Sequence, residues 1–129
     1  FAAHMMYSPN LSTAIYGGAD LFLMPSISEP CGLSQMIAMR YGTIPVVRET
    51  GGLRDSVVPY NKFTGEGTGF SFANINVQEM TGVLSEAVNL YHNEPKAWKA
   101  LQKNAMTADF SWEKSAKAYE EIYGWVTGK

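Results

Sequence analysis

Two short, uninterrupted apolar runs constrain the fold more than any other feature of the sequence. Residues 21–24 read Leu-Phe-Leu-Met, and residues 44–47 read Ile-Pro-Val-Val. A strand with one solvated face alternates apolar and polar residues, whereas a strand buried on both faces in a parallel sheet is apolar throughout. Because stretches with helical spacing separate and follow these runs, we predict an α/β fold, a parallel sheet with flanking helices.

The start of the chain predicts one further strand and a helix. Residues 2–6 form another short apolar run, with His4 inside it as a structural histidine. Ser8 is a suitable N-cap, and Pro9 suits the first position of a helix because its missing N–H is not needed there. Apolar spacing extends this helix to about Ala19.

A helix, a strand and three more helices complete the predicted pattern. Residues 33–41 predict the helix, and residues 70–72 predict a last short strand. Asn76, Pro95 and Ser111 stand where the three further helices begin. No linker or internal boundary interrupts the pattern, so we predict a single domain over the whole chain, residues 1–129.

Composition excludes several classes of protein. Of the 129 residues, 46% are hydrophobic and 12% are aromatic, which is too apolar for a disordered chain. The sequence contains no run of 18 apolar residues that would span a membrane, and its net charge of −2 argues against a nucleic-acid partner. One cysteine, Cys31, suits a reducing compartment, so we expect a cytoplasmic protein. Two isolated histidines and this cysteine have no metal-ligand spacing, so we expect no metal site.

Three segments follow the predicted strands and are candidates for a ligand site, because open α/β sheets bind ligands outside the carboxyl ends of their strands. The richest segment contains Gly32, Leu33 and Ser34, which open a helix. Backbone N–H groups and the positive end of the helix dipole suit a phosphate or diphosphate there. Glu29 lies just ahead and is an acceptor suited to sugar hydroxyls, although an isolated loop glutamate is more commonly a solvated charge.

The other two segments each allow two interpretations. Thr50, Gly51 and Gly52 bring backbone N–H groups close to an anion, or else form a tight turn from a strand to a helix. Tyr7 follows the predicted first strand, and it stacks on a flat base or packs at the rim of the core.

Five motifs in order resemble one family, the bacterial glycogen synthases and plant starch synthases. The resemblance is to the C-terminal half of these ADP-glucose-using glucosyltransferases, and it covers nearly the whole chain. The motifs are GADLFLMPS at 18–26, EPCGLSQ at 29–35, RYGTIPVVR at 40–48, TGGLRDSV at 50–57 and DFSW at 109–112.

The resemblance implies the GT-B architecture, in which two Rossmann-like domains face each other across a cleft. The C-terminal domain of that architecture holds the nucleotide-sugar donor. The implied activity is retaining transfer of glucose from ADP-glucose to the non-reducing end of an α-1,4-glucan, with no metal or other cofactor. The implied location is the cytoplasm, or the plastid if the source is a plant.

The resemblance also implies roles for individual residues. Glu29 is the expected catalytic residue, which accepts hydrogen bonds from the glucose hydroxyls. The expected donor-binding groups are Cys31 and Gly32 at the sugar, Leu33 and Ser34 at the distal phosphate, Tyr7 at the adenine, and the turn formed by Thr50, Gly51 and Gly52.

Two departures from the family pattern shape these expectations. Related glycosyltransferases carry a second glutamate eight positions after the first, where this chain has Ile37. An uncharged residue is usual there in the synthases, so Ile37 favours the synthase family over its wider relatives. The chain opens at Phe1 without Met, so we expect the first strand–helix units, their diphosphate-binding Arg and Lys, and the N-terminal domain to be absent. We therefore expect the isolated chain to be inactive.

The alternatives are a UDP-sugar glycosyltransferase and a non-catalytic module that binds a nucleotide sugar or a glucan.

Overall fold

A computed structural model of the chain describes residues 2–128. Its strands are β1 (Leu21–Met24), β2 (Ile44–Arg48) and β3 (Phe70–Phe72). Over the described residues they form one parallel sheet in the order β1-β2-β3, in which Leu21 pairs with Ile44 and Val46 pairs with Phe70. The predicted parallel α/β architecture is confirmed.

The described part of the chain also contains six helices. They are α1 (Pro9–Gly18), α2 (Ser34–Tyr41), α3 (Gly52–Ser56), α4 (Val77–Asn93), α5 (Pro95–Thr107) and α6 (Trp112–Thr127). The side chains of Ser8, Asn76 and Ser111 each accept a hydrogen bond from a backbone N–H in the first turn of α1, α4 and α6. These three predicted N-caps are confirmed.

The core lies around β2, the central strand of the three. Ile44, Val46 and Val47 are fully buried, because β2 has a strand on each side and helices against its faces. Leu101 and Trp98 of α5 are buried in the same cluster. Burial of each such side chain stabilises the fold by about 1.5–3 kcal/mol, so this cluster holds the sheet and helices together.

The predicted first strand is not formed. Residues 2–7 have no regular secondary structure and are exposed, and His4 is therefore not the buried structural histidine that the sequence predicted. The physical reason is that, among residues 2–128, no strand lies beside them to take up their backbone hydrogen bonds. Tyr7 consequently does not follow a strand.

β1 also differs from its prediction. It is half-buried rather than buried on both faces, and Leu23 is 39% exposed. The cause is its place at one edge of the described sheet, where only β2 flanks it. None of the helices in the described residues is both long and apolar enough to cross a membrane.

Candidate functional site

The candidate site lies at the carboxyl ends of β1 and β2. The β1–α2 loop (residues 25–33) leaves β1 there and lies against the turn that follows β2. The Gly52 N–H donates to the carbonyl oxygens of Glu29 and Pro30, both at 3.2 Å. Parallel strands place their carboxyl ends on one edge, and this is the edge at which open α/β sheets bind ligands.

The start of α2 offers unused hydrogen-bond donors. Leu33 is its N-cap and makes no side-chain capping bond. Within residues 2–128, the backbone N–H groups of Gly32, Leu33 and Ser34 donate to no acceptor. Such groups at a helix start carry partial positive charge and suit an anion, so the geometry fits the predicted phosphate-binding position.

Glu29 supplies the carboxylate of the site. Its side chain is half-buried in the β1–α2 loop, three residues ahead of Gly32. Within the described chain its carboxylate makes no hydrogen bond, and the ion pair found there joins Lys117 and Glu113 in α6 instead. The Glu29 oxygens are therefore available to accept hydrogen bonds from a ligand. Cys31 is exposed in the same loop.

The glycine turn after β2 makes a close approach between two backbones. A Cβ atom on Gly51 would lie 2.0 Å from the carbonyl oxygen of Glu29, and one on Gly52 would lie 1.9 Å from that of Cys31. No side chain fits at either position, so these glycines bring the turn against the β1–α2 loop.

The same turn uses part of its hydrogen-bonding capacity within the chain. The Thr50 N–H donates to the Arg48 carbonyl oxygen at 2.9 Å, and the Gly52 N–H donates to the β1–α2 loop. The tight-turn interpretation is therefore confirmed. Contact of Thr50, Gly51 and Gly52 with an anion stays a prediction.

Tyr7 belongs to no helix or strand and immediately precedes Ser8, the N-cap of α1. Its side chain is 91% exposed. A side chain this exposed does not pack at the rim of the core, so that interpretation is wrong for the described structure. Stacking of Tyr7 on adenine stays a prediction.

Sequence reasoning missed two side chains that hold the β1–α2 loop. Gln35 is fully buried, and its Nε2 donates to the carbonyl oxygens of Cys31 and Gly32 and to Ser56 Oγ. Arg48 Nη1 donates to the carbonyl oxygens of Ser26 and Ile27. A polar residue at a core-facing helical position and a charge ending an apolar strand are the signals that could have identified them.

No cluster of three or more His, Cys, Asp or Glu side chains is placed to hold a metal ion within residues 2–128. That finding leaves the predicted metal-independent chemistry as a prediction.

Comparison with known proteins identifies close relatives. Residues 4–107 match the family described as "Glycosyl transferases group 1". The glycogen synthase of Fusobacterium nucleatum is 57% identical over 121 residues, which cover 94% of this chain and 26% of that enzyme. The glycogen synthase of Lachnospira eligens is 52% identical over 122 residues, which cover 95% of this chain and 26% of that enzyme.

A solved structure has the same fold. It is the catalytic domain of starch synthase IV from Arabidopsis thaliana bound to ADP and acarbose, with a TM-score of 0.82 and 44% identity. The similarity covers 96% of this chain and 26% of that one, so the chain spans about a quarter of the length of its relatives. The family match covers most of the chain and agrees with the site at the sheet edge: this chain belongs to the group 1 glycosyl transferases.

Proposed function

We propose that this chain forms the donor-binding part of a retaining glucosyltransferase, which moves glucose from ADP-glucose to the non-reducing end of an α-1,4-glucan. The observation that carries the proposal is the set of unused N–H groups at Gly32, Leu33 and Ser34, at the start of α2 and close to Glu29. The relatives support it, because they are glycogen synthases and a starch synthase IV bound to ADP and acarbose.

The start of α2 is proposed to hold the diphosphate. The Leu33 N–H and the Ser34 N–H and hydroxyl donate to the distal phosphate, and the helix dipole favours its charge. During transfer the bond between the glucose anomeric carbon and the ADP oxygen breaks, the acceptor hydroxyl oxygen forms the new bond to that carbon, and the hydroxyl proton is released with ADP. Donors that are already oriented stabilise the ADP leaving group without reorganising, which lowers the barrier.

The β1–α2 loop is proposed to hold the sugar. Glu29 accepts hydrogen bonds from the glucose hydroxyls, and the N–H groups of Cys31 and Gly32 donate to the sugar. Gly51 and Gly52 let the turn after β2 pack against this loop, and Tyr7 stacks on the adenine ring. No metal or other cofactor is proposed for the glucosyl transfer.

The exposed face of α6 is proposed to meet an N-terminal domain, as in the GT-B architecture. None of its residues in the described chain is buried, although it carries large apolar side chains, including Trp112, Tyr119, Ile122, Tyr123 and Val126. Apolar surface of this extent marks an interaction site on a protein.

We propose a cytoplasmic location for the assembled enzyme, which fits its exposed, unpaired Cys31.

Binding of ADP and AMP to the 129-residue chain tests the donor site. Because the distal phosphate meets charge-assisted hydrogen bonds, we expect calorimetry to give at least about tenfold tighter binding of ADP than of AMP. UDP serves as the base control and should bind more weakly than ADP. Equal affinity for ADP and AMP would contradict the placement of the distal phosphate at α2.

A chimera tests the activity. The aligned segment of this chain replaces the 121 residues that it matches in the Fusobacterium nucleatum glycogen synthase, and transfer of labelled glucose from ADP-glucose to glycogen is measured. Glu29→Gln should lower the rate of the chimera about 100-fold or more, since a positioned group at the reacting sugar is lost. The matched control is Glu86→Gln, an exposed α4 position, which should leave the rate unchanged. Equal rates for the two variants would exclude a catalytic role for Glu29.

A further inference from the structure

We infer that Gln35 is a positioning residue: it holds two carbonyl groups of the β1–α2 loop inward, and thereby aims the neighbouring N–H groups at the ligand. The inference rests on the proposed function for the identity of the ligand. The geometry that carries it belongs to the chain itself.

The Gln35 amide forms hydrogen bonds with both the β1–α2 loop and α3. Its Nε2 lies 2.8 Å from the Gly32 carbonyl oxygen, 2.9 Å from Ser56 Oγ and 3.3 Å from the Cys31 carbonyl oxygen. Ser56 Oγ in turn donates to the Gly52 carbonyl oxygen at 2.6 Å. A continuous chain of hydrogen bonds therefore joins the β1–α2 loop to α3.

The planar peptide bond converts these contacts into an orientation. In a trans peptide the C=O and the following N–H point in opposite directions, and the described chain contains no cis peptide bond. When Gln35 holds the carbonyl groups of Cys31 and Gly32 inward, the N–H groups of Gly32 and Leu33 must point outward. These are two of the unused donors at the start of α2.

The burial of Gln35 indicates that its amide stabilises the β1–α2 loop and not the hydrophobic core. Gln35 is fully buried on the α2 face that also carries Ala38 and Met39, and its Oε1 has no hydrogen-bond partner within the described residues. A buried acceptor without a partner is unfavourable, and an apolar side chain of similar shape would avoid that cost. The amide N–H groups gain bonds only to the loop and to Ser56.

The test uses the 129-residue chain with Gln35→Met, which keeps the length and flexibility of the side chain but removes its donors. Residual dipolar couplings of the Gly32 and Leu33 N–H groups report their orientation without any ligand. Affinities for ADP and for adenosine, which lacks phosphates, are measured in parallel. We expect altered couplings, about tenfold weaker ADP binding and unchanged adenosine binding.

The control variant is Thr43→Val, which removes a buried donor at the opposite end of β2. Thr43 Oγ1 lies 2.6 Å from the Tyr16 carbonyl oxygen and 2.7 Å from that of Ala19, away from the β1–α2 loop. We expect it to lower the melting temperature while leaving the couplings and the ratio of ADP to adenosine affinity unchanged. If Thr43→Val changes them as much as Gln35→Met does, general destabilisation explains the effect and the inference is wrong.

Two further outcomes separate this inference from the proposed function. Unchanged couplings and an unchanged affinity ratio in Gln35→Met, with normal ADP binding by the parent chain, overturn the inference and leave the proposed function standing. Failure of the parent chain to bind ADP contradicts the proposed function, while the couplings of Gly32 and Leu33 still decide whether Gln35 orients them.

Discussion

The backbone N–H of Gly52 donates to the carbonyl oxygen of Glu29 at 3.2 Å, which joins the turn after β2 to the β1–α2 loop. The contact brings two stretches of main chain together at the edge of the sheet where the candidate ligand groups lie. It requires residues without side chains on the turn, because a Cβ on Gly52 would overlap the Cys31 carbonyl group. The shape of the site therefore depends on glycines that are distant in sequence from the β1–α2 loop but pack against it.

Gly52→Ala should destabilise the chain by about 2–3 kcal/mol, because its Cβ would force the loop and the turn apart. Urea denaturation measures the change. The matched control is Gly82→Ala in the exposed face of α4, where a Cβ meets no atom within 4 Å. Alanine should stabilise that helix by about 0.5–1 kcal/mol. A smaller loss for Gly52→Ala than about 1 kcal/mol would show that the loop adjusts readily.

Thr43→Val should destabilise the chain by about 1–3 kcal/mol, since it leaves the carbonyl groups of Tyr16 and Ala19 without their buried donor. Valine and threonine have nearly the same side-chain volume, so the lost stability measures the contribution of these hydrogen bonds. Thr81→Val in α4 removes an exposed hydroxyl and should change stability by less than about 0.5 kcal/mol. Equal denaturation midpoints for the two variants would contradict this account.

Glu79 should make stability depend on pH in the acidic range. Hydrogen bonds from the Asn74 backbone N–H and side chain hold the Glu79 pKa below its ordinary value of 4.5. Because the folded-state pKa is lowered, the contribution is present in full above pH 4.5 and is lost as the pH falls through the lowered pKa.

The variant Glu79→Gln isolates this effect. Its melting temperature should lie below that of the parent chain at neutral pH, and the difference should shrink as the pH falls below 4.5. Glu120→Gln, at an exposed α6 position, is the control and should show no such convergence. A difference that stays constant down to pH 3 would exclude titration of Glu79 as its cause.

Removal of α6 should change stability little. The described part of this helix buries no residue, so it lacks the packing that stabilises α5. A chain ending at Ser111 should melt within about 3 °C of the full 129 residues, and hydrogen exchange should be faster in α6 than in α5. Slow exchange in α6, comparable with that in α5, would show that the helix is held by contacts of the isolated chain.

The sequence by itself determined the elements whose cause is local. Apolar runs predicted β1 and β2, and side chains such as Ser8 and Asn76 predicted where helices begin, because capping involves residues only a few positions apart. The motif around Glu29 likewise identified the candidate site, since its residues are nearly contiguous along the chain.

Only the tertiary structure decided what depends on neighbours distant in sequence. Residues 2–7 are apolar enough for a strand but have no strand beside them in the described sheet, and β1 is half-buried because it lies at an edge. The role of Gln35 depends on Ser56, 21 positions away, and the close approach of Gly52 depends on the β1–α2 loop. Strand pairing, burial and buried hydrogen bonds are properties of pairs of segments, so local patterns do not specify them.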